Sequence, residues 1–157
     1  LLKNTTARII ICDKNIDIQH AKPYACLIIV NDPKLIFATI VNKYFIEKPD
    51  FSIHPTAVIH SQAKLNPNIL IGPNSYIGNS EIGEGSIIYG NSYIYDNVKI
   101  GSNVIIHAGC IIGSEGFGFL RNDDISLINF PHIGGVIIED DVVIQALTHI
   151  SRGALGN

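Results

Sequence analysis

The chain has 157 residues and a formal charge of −3 at pH 7; it contains no Trp and no Met, and isoleucine is prominent among its apolar residues. That length suits one domain, or one domain with a small appendage. The weak negative charge excludes a general attraction to nucleic acid or anionic membrane, and no apolar run approaches the roughly 20 residues of a membrane span.

No signal-peptide pattern opens the sequence, and Cys12, Cys26 and Cys110 make no disulfide framework. A reducing cytoplasm fits both features. In chain order, residues 7–12 and 24–30 are short β-rich runs followed by turn residues. Asp32-Pro33 reads as an N-cap with proline at the first helical position. Leu35, Ile36, Ile40 and Tyr44 then share one broad face, with Phe37, Val41 and Phe45 beside it, which predicts a helix over 33–46 packed on the strands. Residues 1–46 therefore form a small, partial α/β domain whose beginning is missing, and 47–52 form a linker.

From residue 53 the sequence acquires a period of six: Ile53, Ile59, Leu65, Ile71, Ile77, then Ile82, Ile88, Ile94, Ile100, Ile106 and Ile112, one residue being missing between Ile77 and Ile82. Four places after these stand small or β-branched residues: Ala57, Ala63, Ser75, Ser86, Ser92, Val98, Val104 and Cys110. Three places after stand Asn68, Asn74, Gly85, Asn91, Asn97, Asn103 and Gly109, of the two types that enter positive φ at least cost. A helix recurs near 3.6 and cannot use this pattern. A chain that bends every six residues and closes a three-sided coil can, with aliphatics stacked inside and polar residues outside. This predicts an all-β solenoid, a parallel β-helix of hexapeptide repeats over 53–157. The last coil is uncovered at Asn157, so the chain reads as a piece of a longer protein, incomplete at its C-terminus.

Residues 113–132 keep no register, and the count resumes at Ile138, Ile144 and Ile150 with Val142, Thr148 and Ala154 in the small slot. The insertion begins Gly113-Ser114-Glu115-Gly116-Phe117-Gly118-Phe119. It lacks the Lys-Ser/Thr ending of a phosphate loop and leads into no helix. Its two aromatics suit a lip over an apolar ligand; alternatively they fold back on the solenoid wall or onto a neighbouring subunit. His54, His60 and His107 each follow an inward aliphatic by one and point outward or toward a corner. His54 and His107 lie three coils apart, roughly 14 Å at the strand spacing, too far to share a zinc ion. His149 faces outward one place before an inward Ile, with nothing evident to orient it. No Ser/His/Asp arrangement can be built on spacing.

Together His54-Pro55-Thr56-Ala57-Val58-Ile59, the Gly-Phe-Gly-Phe insertion, Ile133-Gly134-Gly135-Val136-Ile137-Ile138 and Ile150-Ser151-Arg152-Gly153-Ala154-Leu155 resemble the UDP-3-O-(3-hydroxyacyl)glucosamine N-acyltransferase family of lipid A (lipopolysaccharide) biosynthesis in Gram-negative bacteria. The resemblance implies a cytoplasmic homotrimer of left-handed β-helices, with residues 1–46 as the end of a uridine-nucleotide-binding domain. It implies transfer of a 3-hydroxyacyl chain from acyl carrier protein to the 2-amino group of a UDP-3-O-acyl-glucosamine, with no cofactor or metal. A His general base would take the amine proton while polar donors hold the oxyanion.

The family's catalytic His would lie past Asn157 and its uracil-gripping motif before Leu1, so no catalytic residue is carried over and the chain alone is expected to be inactive. The substrate-binding residues expected here are Gly116, Phe117, Gly118, Phe119 and Arg152. Ser151 stands where the family pattern has Asp, and Leu147 where a bend favours Asn. The rival readings are an acetyl-CoA-dependent sugar-nucleotide N-acetyltransferase and a non-catalytic trimerisation scaffold. A γ-class carbonic anhydrase shares the coil but needs zinc-ligating histidines, which the spacing opposes.

Overall fold

The computed structural model describes residues 4–47 and 49–157, and the backbone alone for His20. The chain divides into two compact units, Leu1–Lys48 and Pro49–Asn157.

In the first unit β1 (Ile9–Cys12) pairs in parallel with β2 (Cys26–Ile29). Helix α1 (Pro33–Tyr44) starts where the Asp32 carboxylate accepts the Leu35 amide at 3.0 Å, and Pro33 gives up an N–H that would have had no partner. No residue of the helix is fully buried. Ile36, Ile40 and Val41 are half-buried, whereas Leu35, Phe37 and Tyr44 stay more than 60% exposed. The broad packed face expected from the sequence is therefore narrower. An open apolar hollow lies between Ile9, Ile11 and Ile28 on the strands and Phe37 and Ile40 on the helix.

The second unit is a left-handed parallel β-helix of three sheets. The first face stacks Val58–Ile59, Tyr76–Ile77, Tyr93–Ile94, Ile111–Ser114 and His149–Ser151. The second face stacks Lys64–Leu65, Glu81–Ile82, Val98–Ile100 and Val136–Ile138. The third stacks Leu70–Ile71, Ile87–Ile88, Ile105–Ile106 and Val143–Ile144. The period explains the core directly: from Ile71 to Ile112 every hexad isoleucine is at most 1% exposed. Each such side chain contributes about 1.5–3 kcal/mol on leaving water. At the rim Ile53 has a neighbour on one side only, a lone bridge to Ile71, and is 45% exposed.

The small slots are buried corners whose hydroxyls satisfy the backbone. Ser86 Oγ donates to Gly101 O at 2.9 Å and accepts from Val104 N at 3.0 Å. Ser75 Oγ does the same less tightly, donating to Tyr89 O and accepting from Ser92 N, while Ser92 Oγ donates to His107 O and the Cys110 thiol to Gln145 O. The bend residues adopt left-handed φ as their types allow, from 55° at Asn68 to 75° at Gly109. The one-residue deletion falls at the Gly78–Ser80 corner. There Ser80 takes the inward slot and Asp96 Oδ1 accepts the Asn79 amide at 2.7 Å, and among the described residues no positive φ occurs at that turn.

The outward rows differ from the polar exterior expected. Only the second face carries charge, in the row Lys64, Glu81, Lys99 and Ile137. The first face presents Val58, Tyr76, Tyr93, Ile111 and His149, and the third Leu70, Ile87, Ile105 and Val143. A period of six fixes what points inward; it places no demand on the position beside it.

The insertion leaves the first face after Ser114 and forms a hairpin, Phe119–Arg121 antiparallel to Leu127–Asn129. Its turn is held by Asp124, whose carboxylate accepts the Ser126 amide and hydroxyl; those bonds hold the Asp124 carboxyl below the usual carboxylate range. Among the described residues no helix is long and apolar enough to cross a membrane.

Candidate functional site

Apart from the shortened corner at Gly78–Ser80 the solenoid is regular until Gly113, and its irregularity there gathers polar side chains. Ile112 pairs with Ile150 but Ser114 pairs with Ser151, a register shift made possible by Gly113 at φ 83°. A side chain at 113 would sit 2.5 Å from Val98 Cγ2 and 3.3 Å from Tyr95 Cβ. Arg152 caps the shifted backbone from the next coil. Its Nε donates to Gly113 O at 2.7 Å, its backbone N donates to Ser114 O at 2.9 Å, and its guanidinium carbon lies 5.8 Å from the Tyr95 ring centroid. The side chain is half-buried, within cation–π range of the ring.

Beside it, Ser114 Oγ and His149 Nε2 share a hydrogen bond. This corrects the expectation that nothing orients His149. The partner comes from the preceding coil, across the insertion, and once Ile112 is set against Ile150 the neighbourhood of 114 and 149 follows. Tyr95, which supports Arg152, was not singled out in the sequence; its place on the corner between Gly78 and Gly113 was the available signal.

The Gly-Phe-Gly-Phe segment lies next to this corner in sequence. Gly116 and Gly118 pack on His132: a Cβ on Gly116 would meet His132 Nε2 at 2.6 Å, and one on Gly118 would meet Cε1 at 3.3 Å. The glycines are there to admit the imidazole, whose Nδ1 is buried without a hydrogen-bond partner. Phe117 is 94% exposed and touches Phe119 edge to face at 5.1 Å. Phe117 does not fold back on its own solenoid wall. The site residues expected from sequence thus fall in two groups, Arg152 on the corner and Gly116 to Phe119 on the lip.

The remaining histidines of the solenoid have local work. His54 Nδ1 and His60 Nδ1 accept the amides of Thr56 and Gln62, and His107 stacks on Tyr89 at 5.3 Å. Among the described residues no group of three or more His, Cys, Asp or Glu could hold a metal ion. On the first face Tyr76 and Tyr93 stack at 4.3 Å, with Tyr95 tilted against Tyr93 at 4.7 Å. Desolvation, then the neighbouring Tyr76, Tyr95 and Asp96, push the Tyr93 phenol above its ordinary value.

The coil, its left-handed bends and its three stacked sheets define a hexapeptide-repeat solenoid. The family model described as bacterial transferase hexapeptide (six repeats) matches residues 79–114. Two solved structures share the fold. The UDP-N-acetylglucosamine O-acyltransferase of Moraxella catarrhalis RH4 superposes with a TM-score of 0.52 at 29% identity, over 64% of this chain and 37% of that one. The UDP-N-acetylglucosamine acyltransferase of Francisella novicida gives 0.50 at 26% identity, over 64% and 44%.

Within that class the chain has a segment homologous to UDP-3-O-acylglucosamine N-acyltransferases. It is 55% identical to that of Aromatoleum aromaticum over 49 residues, 31% of this chain and 15% of the relative. It is 54% identical to that of Methylococcus capsulatus over 48 residues, and 51% identical to that of Chlorobium chlorochromatii over 51. The matched segment spans about one-seventh of these relatives' length.

Proposed function

We propose that the chain is part of a cytoplasmic acyltransferase of lipid A biosynthesis that moves a 3-hydroxyacyl chain from acyl carrier protein to the 2-amino group of a UDP-3-O-acyl-glucosamine. The observation that carries the reading is the likeness, at about half identity, to relatives named for N-acylation of that sugar nucleotide, in a chain whose solenoid is of the same class. The amine attacks the thioester carbonyl, so the reaction needs a base for the amine proton and donors for the developing oxyanion. In this reading a His supplied from outside residues 1–157 is the base, and no metal or cofactor takes part. Residues 1–46 belong to a nucleotide-binding domain. The Gly116–Phe119 lip and Arg152 contact substrate.

The same reading makes the assembly a homotrimer. A closed ring of identical subunits uses two different patches on each copy. Two outward rows of this solenoid are apolar, with Val58, Tyr93, Ile111 and Val143 each at least 40% exposed, and the remaining row, on the second face, carries the charge. The two apolar rows supply the two patches, and they leave Phe117 free to reach a neighbouring subunit or its ligand.

The test is mass-spectrometric detection of the N-acyl product from 3-hydroxyacyl-acyl carrier protein and UDP-3-O-acylglucosamine. The product of the reading frame extended past Asn157 is expected to turn over as three copies by light scattering, and residues 1–157 alone are expected not to. Product from neither would overturn the reading; ordinary turnover by residues 1–157 would overturn the placement of the base.

A further inference from the structure

Arg152 is held more firmly than a surface arginine needs to be, and it is held by one end. Its Nε is spent on Gly113 O, its backbone amide on Ser114 O, and its guanidinium carbon lies over the Tyr95 ring two coils below, 5.8 Å from the centroid. A guanidinium carries five N–H donors in a rigid fork. Among the described residues no acceptor takes a hydrogen bond from its two terminal nitrogens, and those nitrogens are not sealed from solvent as the His132 Nδ1 is. If the corner served the fold alone, a neutral side chain capping Gly113 O would serve as well, without a half-buried positive charge.

We propose that Arg152 is the anchor for a phosphate-ester oxyanion, gripped by the two terminal guanidinium nitrogens while Nε and Tyr95 hold the fork in place. An immobilised fork matches a phosphate in a bidentate manner and loses little freedom on binding, which is where an arginine differs from a lysine. The rim of the corner is polar and uncharged on the side of the first face. Ser114 Oγ is tied to His149 Nε2, Ser151 opposite Ser114 is exposed, and among the described residues no carboxylate forms an ion pair with Arg152. The identity of the phosphate ester rests on the proposed acyl transfer. There the acceptor brings a nucleoside diphosphate and the donor a phosphopantetheine, two sources of the same chemistry.

The experiment titrates the chain separately with UDP-N-acetylglucosamine and with pantetheine 4′-phosphate, following heat and the 15N resonance of Arg152 Nε. Uridine and pantetheine serve as phosphate-free controls. One phosphate ester is expected to move the resonance and to bind at least about tenfold more tightly than its control; whichever does so names the source. Arg152→Lys, which keeps the charge and loses the fork, is expected to erase that tenfold preference. Tyr95→Leu, which leaves Arg152 but removes its support, is expected to weaken it as well, so the proposal stays testable if either variant unfolds. A silent resonance with both esters, or Arg152→Lys binding as the parent does, would overturn the clamp. Binding that persists while the extended protein N-acylates nothing would count against the proposed activity and leave the clamp standing. N-acylation with unchanged KM in Arg152→Lys would remove the clamp alone.

Discussion

Leu147 shows what a single residue costs this fold. It occupies a bend at φ 60°, where the other left-handed bends of the coil use Asn, Gly or Asp141, and it is 82% exposed, so burial does not compensate for the strain. Left-handed backbone costs an ordinary L-residue roughly 1–2 kcal/mol, and Asn pays less because its short amide bonds locally. Leu147→Asn is therefore expected to stabilise the solenoid by about 1 kcal/mol in urea unfolding. Unchanged or lowered stability would mean that Leu147 makes a contact in solution that a lone chain does not display. The residue was visible in the sequence as an exception to the Asn/Gly row, because φ > 0 is a property of single residue types. His149 was not legible in that way. Its partner Ser114 lies across the insertion, and only the closed coil brings the two side chains together.

The coil is the unit that burial measures. Ile94 is fully buried in the middle of the first face, whereas Ile53 at the rim is 45% exposed. Ile94→Ala is expected to cost about 2–5 kcal/mol, because neighbours above and below cannot both collapse into the space. Ile53→Ala should cost less than about 1 kcal/mol, since most of its surface already meets water. Equal losses in urea denaturation would show that the rim is covered by something in solution. The inner wall was readable because six-residue periodicity is strict wherever an isoleucine must meet another one coil away. The corner at Gly78–Ser80 was readable only as a missing residue; that it turns without positive φ depends on Asp96 of the next coil accepting the Asn79 amide and on Ser80 Oγ donating to Gly78 O within the turn. The hairpin inside 113–132 was not anticipated, because its strands are three residues each and carry no alternation strong enough to mark them. Helix α1 was placed within two residues, from its cap and proline, while its packing was overestimated from apolar content alone.

At the scale of the molecule, sequence identity and fold point the same way but reach different distances. The stack of coils follows from the hexads themselves, whereas the acyl-transfer reading depends on relatives matched over a short segment and on a base outside these residues. The apolar outward rows belong to this scale too, since a row beside the core has no reason to be aliphatic unless something covers it, and a single chain gives no sign of that in its period. What everything rests on is the stacking of Val58, Tyr76, Tyr93, Ile111 and His149 as successive outward positions of one parallel sheet. Spin labels at Val58 and His149 measure it directly. They are placed in a background with Cys12, Cys26 and Cys110 changed to serine, which the buried Ser75 and Ser92 of the same corner show to be compatible with the Cys110 slot, and diluted with unlabelled chain. Four strand spacings predict one narrow distance of about 19 Å, broadened by the label arms. A distribution centred beyond about twice that value, or no defined distance, would contradict the coil and with it every site built on the coil.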